Sequence, residues 1–247
     1  MPASGEFRLS ISQALTDQLR EHLDKLTPAP LTPGNLALLD KRQGVYQLYK
    51  DDELVYVGSA SVTLPHRLGQ HMRKISGRQN VSIEEAAFTC LYVDEDLTVL
   101  APEERLIRVS QGEGSAPWNT NGFGNNDPGR RRDESHVSAT HFDSLYPIDL
   151  EWPCATIEAG DRTAAVLLAE MKQALPFVLR YENTAGSKAE YEAVDVSVPA
   201  DGMAAEALLE LIAAALPGFQ LTALPGYVIF YREKRNYPSG RVIGAGS

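Results

Sequence analysis

Cysteine is scarce in this chain of 247 residues, and its scarcity argues against stabilisation of the fold by disulfides or by a structural zinc ion. Cys90 and Cys154 are far apart and form neither a CxxC nor a Cys/His pattern, so no disulfide framework or structural zinc site is indicated. The chain also lacks an apolar run of membrane-spanning length and the basic start and apolar core of a signal peptide. These absences predict a soluble, cytoplasmic protein with no membrane partner.

An excess of positive charge is absent as well. The formal net charge is −10 at pH 7, which argues against a protein that coats nucleic acid through bulk electrostatics. Two local clusters of basic residues nevertheless occur, and they fit a protein that meets a polyanion at one face. Solvated surface is the ordinary explanation of either cluster alone. The clusters are Arg67, Arg73, Lys74 and Arg78, with no acidic residue over 64–78, and Arg130, Arg131 and Arg132.

Hydrophobic periodicity divides the first 110 residues into short helices and strands. Apolar residues at helical spacing predict an amphipathic helix over residues 9–26, which a proline-rich segment ends. β-Branched and aromatic residues then predict two strands joined by an Asp51-Asp52 turn. The later predicted elements are a helix over 64–75, a strand over 86–96 and a short helix that begins at Pro102.

The rest of the chain has a different pattern. Residues 111–135 form a long predicted loop rich in Gly, Asn and Pro, in which Trp118 and Phe123 argue against disorder. Beyond it, the predicted helices are 161–175 and 202–216, and the predicted strands are 190–198, 219–224 and 226–233. We therefore predict an α+β fold in three parts. These are an N-terminal helix and connector over 1–40, a small antiparallel sheet flanked by helices over 41–150, and an α+β domain for dimerisation or partner binding over 151–247.

Side chains suited to phosphodiester hydrolysis occur in order along the first region. They are Tyr46 and Tyr56 in the hairpin, Arg67 and His71 on one helix face, Glu103 and Glu104 at a helix start, and Asn119 in the loop. A carboxylate can hold a divalent metal, a guanidinium can neutralise phosphate charge, and a phenol or imidazole can take the proton of water. Each residue alone is more simply explained by packing, capping or a turn. Their joint order supports the catalytic hypothesis.

These motifs resemble the GIY-YIG nuclease superfamily. The resemblance rests on GVY at 44–46, a gap of nine residues, YVG at 56–58, and the helical Arg67 and His71. The segment PWNTNGFGNNDPGRRR, residues 117–132, is similar to the P-x-W-N and GFGN-x-x-PG pattern of its type II restriction endonuclease branch. FDSLYP, residues 142–147, resembles the W-D-x-x-H-P that closes that pattern. The resemblance implies a GIY-YIG-type sheet flanked by helices.

The resemblance also implies single-metal hydrolysis of double-stranded DNA. Tyr46, assisted by His71, would orient and deprotonate the attacking water, and Arg67 would bind the scissile phosphate. Glu103, three residues before Leu106 in the Leu106-Ile107 pair, would hold Mg²⁺. Glu104 is the alternative ligand, and Mn²⁺ is the alternative ion. Tyr56 and Asn119 would position the site. With the basic clusters, the resemblance places toward DNA Arg73, Lys74, Arg78, Asn121, Asn125, Arg130, Arg131 and Arg132.

Members of this branch act as homodimers on short GC-rich palindromes, which implies a restriction role in anti-phage defence and a cognate methyltransferase as a candidate partner. Two alternatives stay open. One is a structure-selective repair or mobile-element nuclease built on the same core, which the GFGN-x-x-PG loop disfavours. The other is a catalytically idle module that binds DNA or protein, which the full set of catalytic residue types disfavours.

The hairpin gives a geometric test of this hypothesis. Side chains alternate between the two faces of a strand, so a regular two-residue Asp51-Asp52 turn would point Tyr46 and Tyr56 to opposite faces. If both phenols serve one phosphate, the hairpin requires an odd-numbered loop or a β-bulge that shifts the register by one residue.

Overall fold

The computed structural model describes residues 11–93, 116–124 and 129–244. The chain forms two compact units, Met1–Met72 with Ser82–Gly124, and Arg73–Val81 with Asn125–Ser247. Helices and mainly antiparallel sheets occur in the chain, so the predicted α+β class is confirmed. The division into parts at residues 40 and 150 stays a prediction. Within the described ranges, no helix has the length and apolar character needed to cross a membrane.

Two short helices and a minimal strand precede the hairpin. Helix α1 spans Ile11–Leu23, and the predicted proline-rich connector contains β1, Ala29–Pro30, and α2, Pro33–Ala37. Thr32 caps α2, because its Oγ1 accepts a hydrogen bond from the backbone N–H of Asn35 at 3.2 Å. Proline suits the first turn of this helix, where a backbone N–H has no intrahelical partner.

The first unit contains a four-stranded antiparallel sheet with the order β1-β4-β2-β3. Its three longer strands are β2, Gly44–Lys50, β3, Glu53–Ala60, and β4, Ala86–Tyr92. On one face, Val45 and Val57 pack in a cluster with Leu23. The opposite face carries Tyr46, and it is this face that forms the candidate site.

The β2–β3 hairpin contains a β-bulge, one of the two alternatives that the sequence left open. Asp51 and Asp52 both have positive φ, 51° and 64°, which is the type I′ geometry of a two-residue turn. Lys50 pairs with Glu53, but the register then shifts, so that Leu48 pairs with Tyr56 and Val55 is the extra residue of β3. Tyr46 pairs with Gly58. Because strand residues two apart share a face, the bulge puts both motif tyrosines on the same side of the sheet.

Helix α3, Leu64–Ser76, has a continuous buried stripe. Leu64, Leu68, His71 and Ile75 are all buried and recur at spacings of four, three and four, as expected for one face of an α-helix. Arg67 lies four residues before His71 and is only partly exposed. The helix therefore presents Arg67 and His71 as neighbours on one face, as predicted.

The second unit has its own sheets and core. Short helices α4, Arg130–Asp133, and α5, Phe142–Leu145, precede an alternation of strands and helices. That alternation is β5, Gly160–Thr163; α6, Ala164–Ala174; β6, Val178–Tyr181; α7, Ala185–Ala193; β7, Asp195–Val198; α8, Ala205–Ala215; β8, Gln220–Leu224; β9, Tyr227–Tyr231; and β10, Arg241–Ile243. The sheet order is β10-β8-β9-β6, with β6 and β9 parallel, and β5 pairs with β7. Buried residues of α6 and α8 pack in the same core as those of the larger sheet.

Two predicted boundaries in this unit are wrong. The helix predicted over 161–175 begins only at Ala164, because Thr163 caps it and the three residues from Asp161 pair with β7. The strand predicted over 190–198 is helical through Ala193. Buried Ser187 and Tyr191 are four residues apart, so helical packing prevails there over the strand propensity of the later residues.

Candidate active site

The phenol of Tyr46 is the centre of the candidate site. Its ring is fully buried on β2, and its hydroxyl lies 2.7 Å from Nε2 of His71, which is buried on α3. Nε of Arg67 donates a second hydrogen bond to the same hydroxyl at 3.3 Å. Phenol, imidazole and guanidinium thus meet at one oxygen, as the sequence order predicts.

Tyr56 completes the aromatic side of the site. Its ring centroid lies 6.1 Å from that of Tyr46 and 5.4 Å from that of His71. Gly58 explains how the rings fit, since a Cβ at this position would stand 2.5 Å from the Tyr46 hydroxyl and 2.7 Å from Cε1 of Tyr56. The glycine of the YVG motif is therefore required by the close approach of both rings.

Arg67 is a fixed cation at the edge of the phenols. Burial lowers the pKa of Arg67, but the nearby phenols of Tyr46 and Tyr56 favour its charged form, and the pKa is raised overall. Nη1 also donates to Oε1 of Gln70 at 3.1 Å. Held at two points, the guanidinium is prepared to meet an anion such as a phosphate.

Asn119 contacts the backbone of β3 rather than the phenols. Its Oδ1 accepts from the N–H of Val57 at 2.8 Å, and its Nδ2 donates to the carbonyl of Val57 at 2.7 Å. The side chain thereby pairs with the strand as a neighbouring strand would. Because Val57 directly follows Tyr56, this contact supports a positioning role for Asn119.

The loop after Asn119 packs onto His71 and Tyr56. The Phe123 ring stacks on the His71 ring with centroids 4.9 Å apart and an interplanar angle of 20°, and its edge meets Tyr56 at 5.1 Å. A Cβ on Gly124 would stand 2.6 Å from the Tyr56 hydroxyl. Sequence reasoning missed these two contacts. The available signal was an apolar residue, Phe123, between glycines in a polar loop.

Several predicted site residues lie outside the described residues. They are Glu103, Glu104 and Asn125. Within the described ranges, no group of three or more His, Cys, Asp or Glu side chains could hold a metal ion. The described side chains around Tyr46 are suited to phosphate binding and proton transfer. The metal-ligand role of Glu103 or Glu104 stays a prediction.

The first basic cluster mostly contacts protein. Arg73 donates to the backbone carbonyls of Gln173 and Leu175, at the end of α6, and Lys74 lies 5.2 Å from the Phe142 ring centroid. Arg78 is buried and forms an ion pair with Asp143 at 3.0 Å. Burial lowers the pKa of Arg78, although Asp143 opposes the shift. Arg73 and Arg78 therefore have protein partners within the second unit, and their contact with DNA stays a prediction.

The second basic cluster divides in the same way. Arg132 pairs with Asp143 at 3.0 Å, whereas Arg130 and Arg131 are exposed at the start of α4. Arg130 covers the Tyr231 ring at 4.4 Å from its centroid. Asn121 turns its Oδ1 toward the backbone N–H of Phe123 at 3.3 Å, within its own loop. Arg130 and Arg131 remain the best described candidates for contact with a polyanion.

A phenol, an imidazole and a guanidinium meet on one face of a small antiparallel sheet. Together they can combine proton transfer with the binding of a negatively charged phosphate. The model of the family described as the Eco29kI GIY-YIG domain matches residues 47–152, less than half of the chain. The match begins one residue after Tyr46 and includes Tyr56, Arg67 and His71. A search of curated proteins gave no match.

Residues 47–152 are thus a GIY-YIG nuclease domain of the type II restriction endonuclease branch. The protein is an enzyme of the DNA endonuclease class, which hydrolyses phosphodiester bonds.

Proposed function

We propose that the protein is a Mg²⁺-dependent endonuclease that cuts double-stranded DNA at a specific site in restriction and anti-phage defence. The observation that carries this proposal is the Tyr46 hydroxyl, held 2.7 Å from His71 Nε2 and 3.3 Å from Arg67 Nε. This geometry joins a proton acceptor and a phosphate-binding cation at one phenol.

The Tyr46–His71 pair orients the attacking water and takes its proton. A free phenol has a pKa of about 10, so a neighbouring base is needed for it to accept a proton near neutral pH. His71 supplies that base within hydrogen-bond distance. Tyr56 packs near the Tyr46 ring, and Asn119 binds the backbone of β3, so both residues position the site around Tyr46 and His71.

Arg67 binds the scissile phosphate, and its raised pKa keeps the guanidinium charged throughout. Glu103, or alternatively Glu104, would hold Mg²⁺ or Mn²⁺. One carboxylate together with phosphate oxygens is a usual coordination pattern for Mg²⁺. When bound, the metal neutralises the charge that develops on the phosphate and the leaving oxygen.

By the family resemblance, the loop that contains Asn121, Asn125 and the GFGN sequence would contact DNA. Arg130 and Arg131 would contact DNA phosphates. The palindromic sites of the resembled branch suggest a homodimer, so that two identical sites cut the two strands. A cognate methyltransferase and a cytoplasmic location belong to the same proposal, because restriction requires protected host DNA.

The test is incubation of the protein with supercoiled plasmids of varied sequence, with Mg²⁺ or with a chelator. The proposal predicts discrete fragments that disappear with the chelator and with Glu103→Ala, while Glu104→Ala is the matched comparison at the adjacent carboxylate. If Glu104→Ala alone abolishes cutting, the metal ligand is Glu104. Nicks at no fixed position would favour a structure-selective repair or mobile-element nuclease. Intact plasmid under every condition would contradict the proposal.

A further inference from the structure

Phe123 covers the face of the proposed catalytic histidine. The two rings are nearly parallel, with centroids 4.9 Å apart and an interplanar angle of 20°. Phe123 is almost completely buried, at 1% exposure, and His71 at 3%. A buried imidazole that stacks on a phenyl ring has little freedom to rotate, so the stack restrains the direction of its Nε2.

Phe123 is itself held on its other sides. Trp118 packs against it with a centroid separation of 4.7 Å, and Tyr56 meets it edge-on at 5.1 Å. Its backbone N–H donates to Oδ1 of Asn121 at 3.3 Å, which closes a local turn around Gly122. The position of the Phe123 ring therefore follows from the conformation of the loop 118–124.

We propose that Phe123 is a positioning residue for His71, and that it couples the conformation of the DNA-facing loop to proton transfer at Tyr46. This inference rests on the proposed function for the identity of the reaction. The loop that the family pattern assigns to DNA is the segment that supports the base. Correct seating of that loop on DNA would thus be needed to align His71 with the Tyr46 hydroxyl.

The proton transfers of the proposed reaction give the Phe123–His71 stack a chemical role as well as a steric one. As water attacks the phosphorus, its proton passes to the Tyr46 oxygen while the phenolic proton passes to Nε2 of His71. The products of this transfer are a neutral tyrosine and an imidazolium. A cation within about 6 Å of a phenyl centroid is attracted to the ring face, so Phe123 stabilises the imidazolium once it forms.

The first test compares Phe123→Leu, which removes the ring, with Phe123→Tyr, which retains it. Phe88→Leu is the matched control, because Phe88 is a buried aromatic residue of the same unit that pairs with Leu48 rather than with a motif tyrosine. At saturating protein with Mg²⁺, Phe123→Leu should cut roughly tenfold or more slowly, a part of the ~10²–10⁴-fold that general acid–base catalysis supplies. Its DNA dissociation constant in Ca²⁺ should stay close to the wild-type value, and its pH–rate profile should be displaced. Phe123→Tyr should restore most of the rate.

The second test is independent of cleavage. Selective ¹³C labelling of histidine gives five ring signals, and His71→Gln assigns the one from His71. In wild type this signal should show the upfield ring-current shift of a stacked ring, which should be lost in Phe123→Leu and kept in Phe88→Leu. Phe123→Met replaces the leucine variant if the latter does not fold.

The inference is overturned if the variants without the ring cut with the rate and pH profile of Phe88→Leu, or if the His71 signal is unchanged by loss of the Phe123 ring. Absence of any DNA cleavage by wild type would instead contradict the proposed function. The NMR comparison would still decide whether the Phe123 ring stacks on His71.

Discussion

Gly58 lies opposite Tyr46 in the hairpin, and the rings of both motif tyrosines approach its α-carbon. A side chain at this position would meet the Tyr46 hydroxyl and the Tyr56 ring at distances that real Cβ atoms essentially never show. The rings cannot yield easily, because Tyr46 and Tyr56 are buried and His71 and Phe123 pack around them. At the scale of single residues, the packing of the site thus depends on the lack of a Cβ atom at Gly58.

The corresponding prediction is that Gly58→Ala destabilises the protein by about 1–3 kcal/mol through overpacking and greatly reduces cleavage. Gly69→Ala is the matched control, because a Cβ at Gly69 in α3 would have nothing within 4 Å. That change should raise the free energy of unfolding by up to about 1 kcal/mol, since alanine is the better helix residue. Denaturant unfolding and single-turnover cleavage measure both effects. Equal behaviour of the two variants would contradict the assigned contact.

At the scale of elements, the bulge at Val55 reconciles a two-residue turn with two phenols on one face. Deletion of Val55 removes the extra residue, while Lys50–Glu53 and Leu48–Tyr56 remain the pairs that a regular ladder through this turn would form. We expect the deletion variant to fold with both phenols on one face and to retain cleavage. The lost burial of the valine should cost about 1.5–3 kcal/mol in denaturant unfolding. A folded variant without cleavage would mean that the site needs the local twist of the bulge.

The hairpin also shows how far sequence reasoning reaches. Side chains alternate along a strand, so two phenols at one site required either an odd-numbered loop or a bulge. The structure has the bulge. Its place at Val55 could not be predicted, because the packing of Tyr56 against β2 and the loop selects it. Likewise, the order of residues singled out Asn119, but its partner Val57 is far away in the chain. Helix α7 was missed because its burial pattern from Ser187 to Tyr191 competes with strand-favouring residues that follow.

At the scale of the whole molecule, sequence alone did not separate surface charge from buried charge. Arg78 and Arg132 occur in runs that look like solvated basic patches, yet both pair with Asp143 in the second unit. His141 belongs to the same network, since its Nδ1 accepts from the backbone N–H of Asp143 at 3.1 Å. Clustering of basic residues in the sequence therefore could not show that Arg78 and Arg132 have an acidic partner within the protein.

This network predicts a pH dependence of stability. Burial lowers the pKa of His141 below its ordinary value of about 6.5, and Arg132, Lys74 and Arg78 lower it further, although Asp143 opposes them. Below about pH 6.5 the His141 imidazole is protonated more readily in the unfolded chain than in the folded protein. The contribution of neutral His141 to the free energy of unfolding is therefore complete above about pH 6.5 and declines as the pH falls. His141→Asn keeps a capping side chain for α5 without a titrating group. Denaturant unfolding from pH 8 to 5 should show a steeper loss for wild type, and parallel curves would refute the assignment.

The central claim is that Tyr46 and His71 act as one unit in phosphodiester hydrolysis. The most direct measurement is a double-mutant cycle of single-turnover DNA cleavage in Mg²⁺ with Tyr46→Phe, His71→Gln and the double variant. Residues that act together lose their joint contribution when either is removed. The account predicts that the double variant cuts about as slowly as the slower single variant. Losses that multiply independently would contradict it.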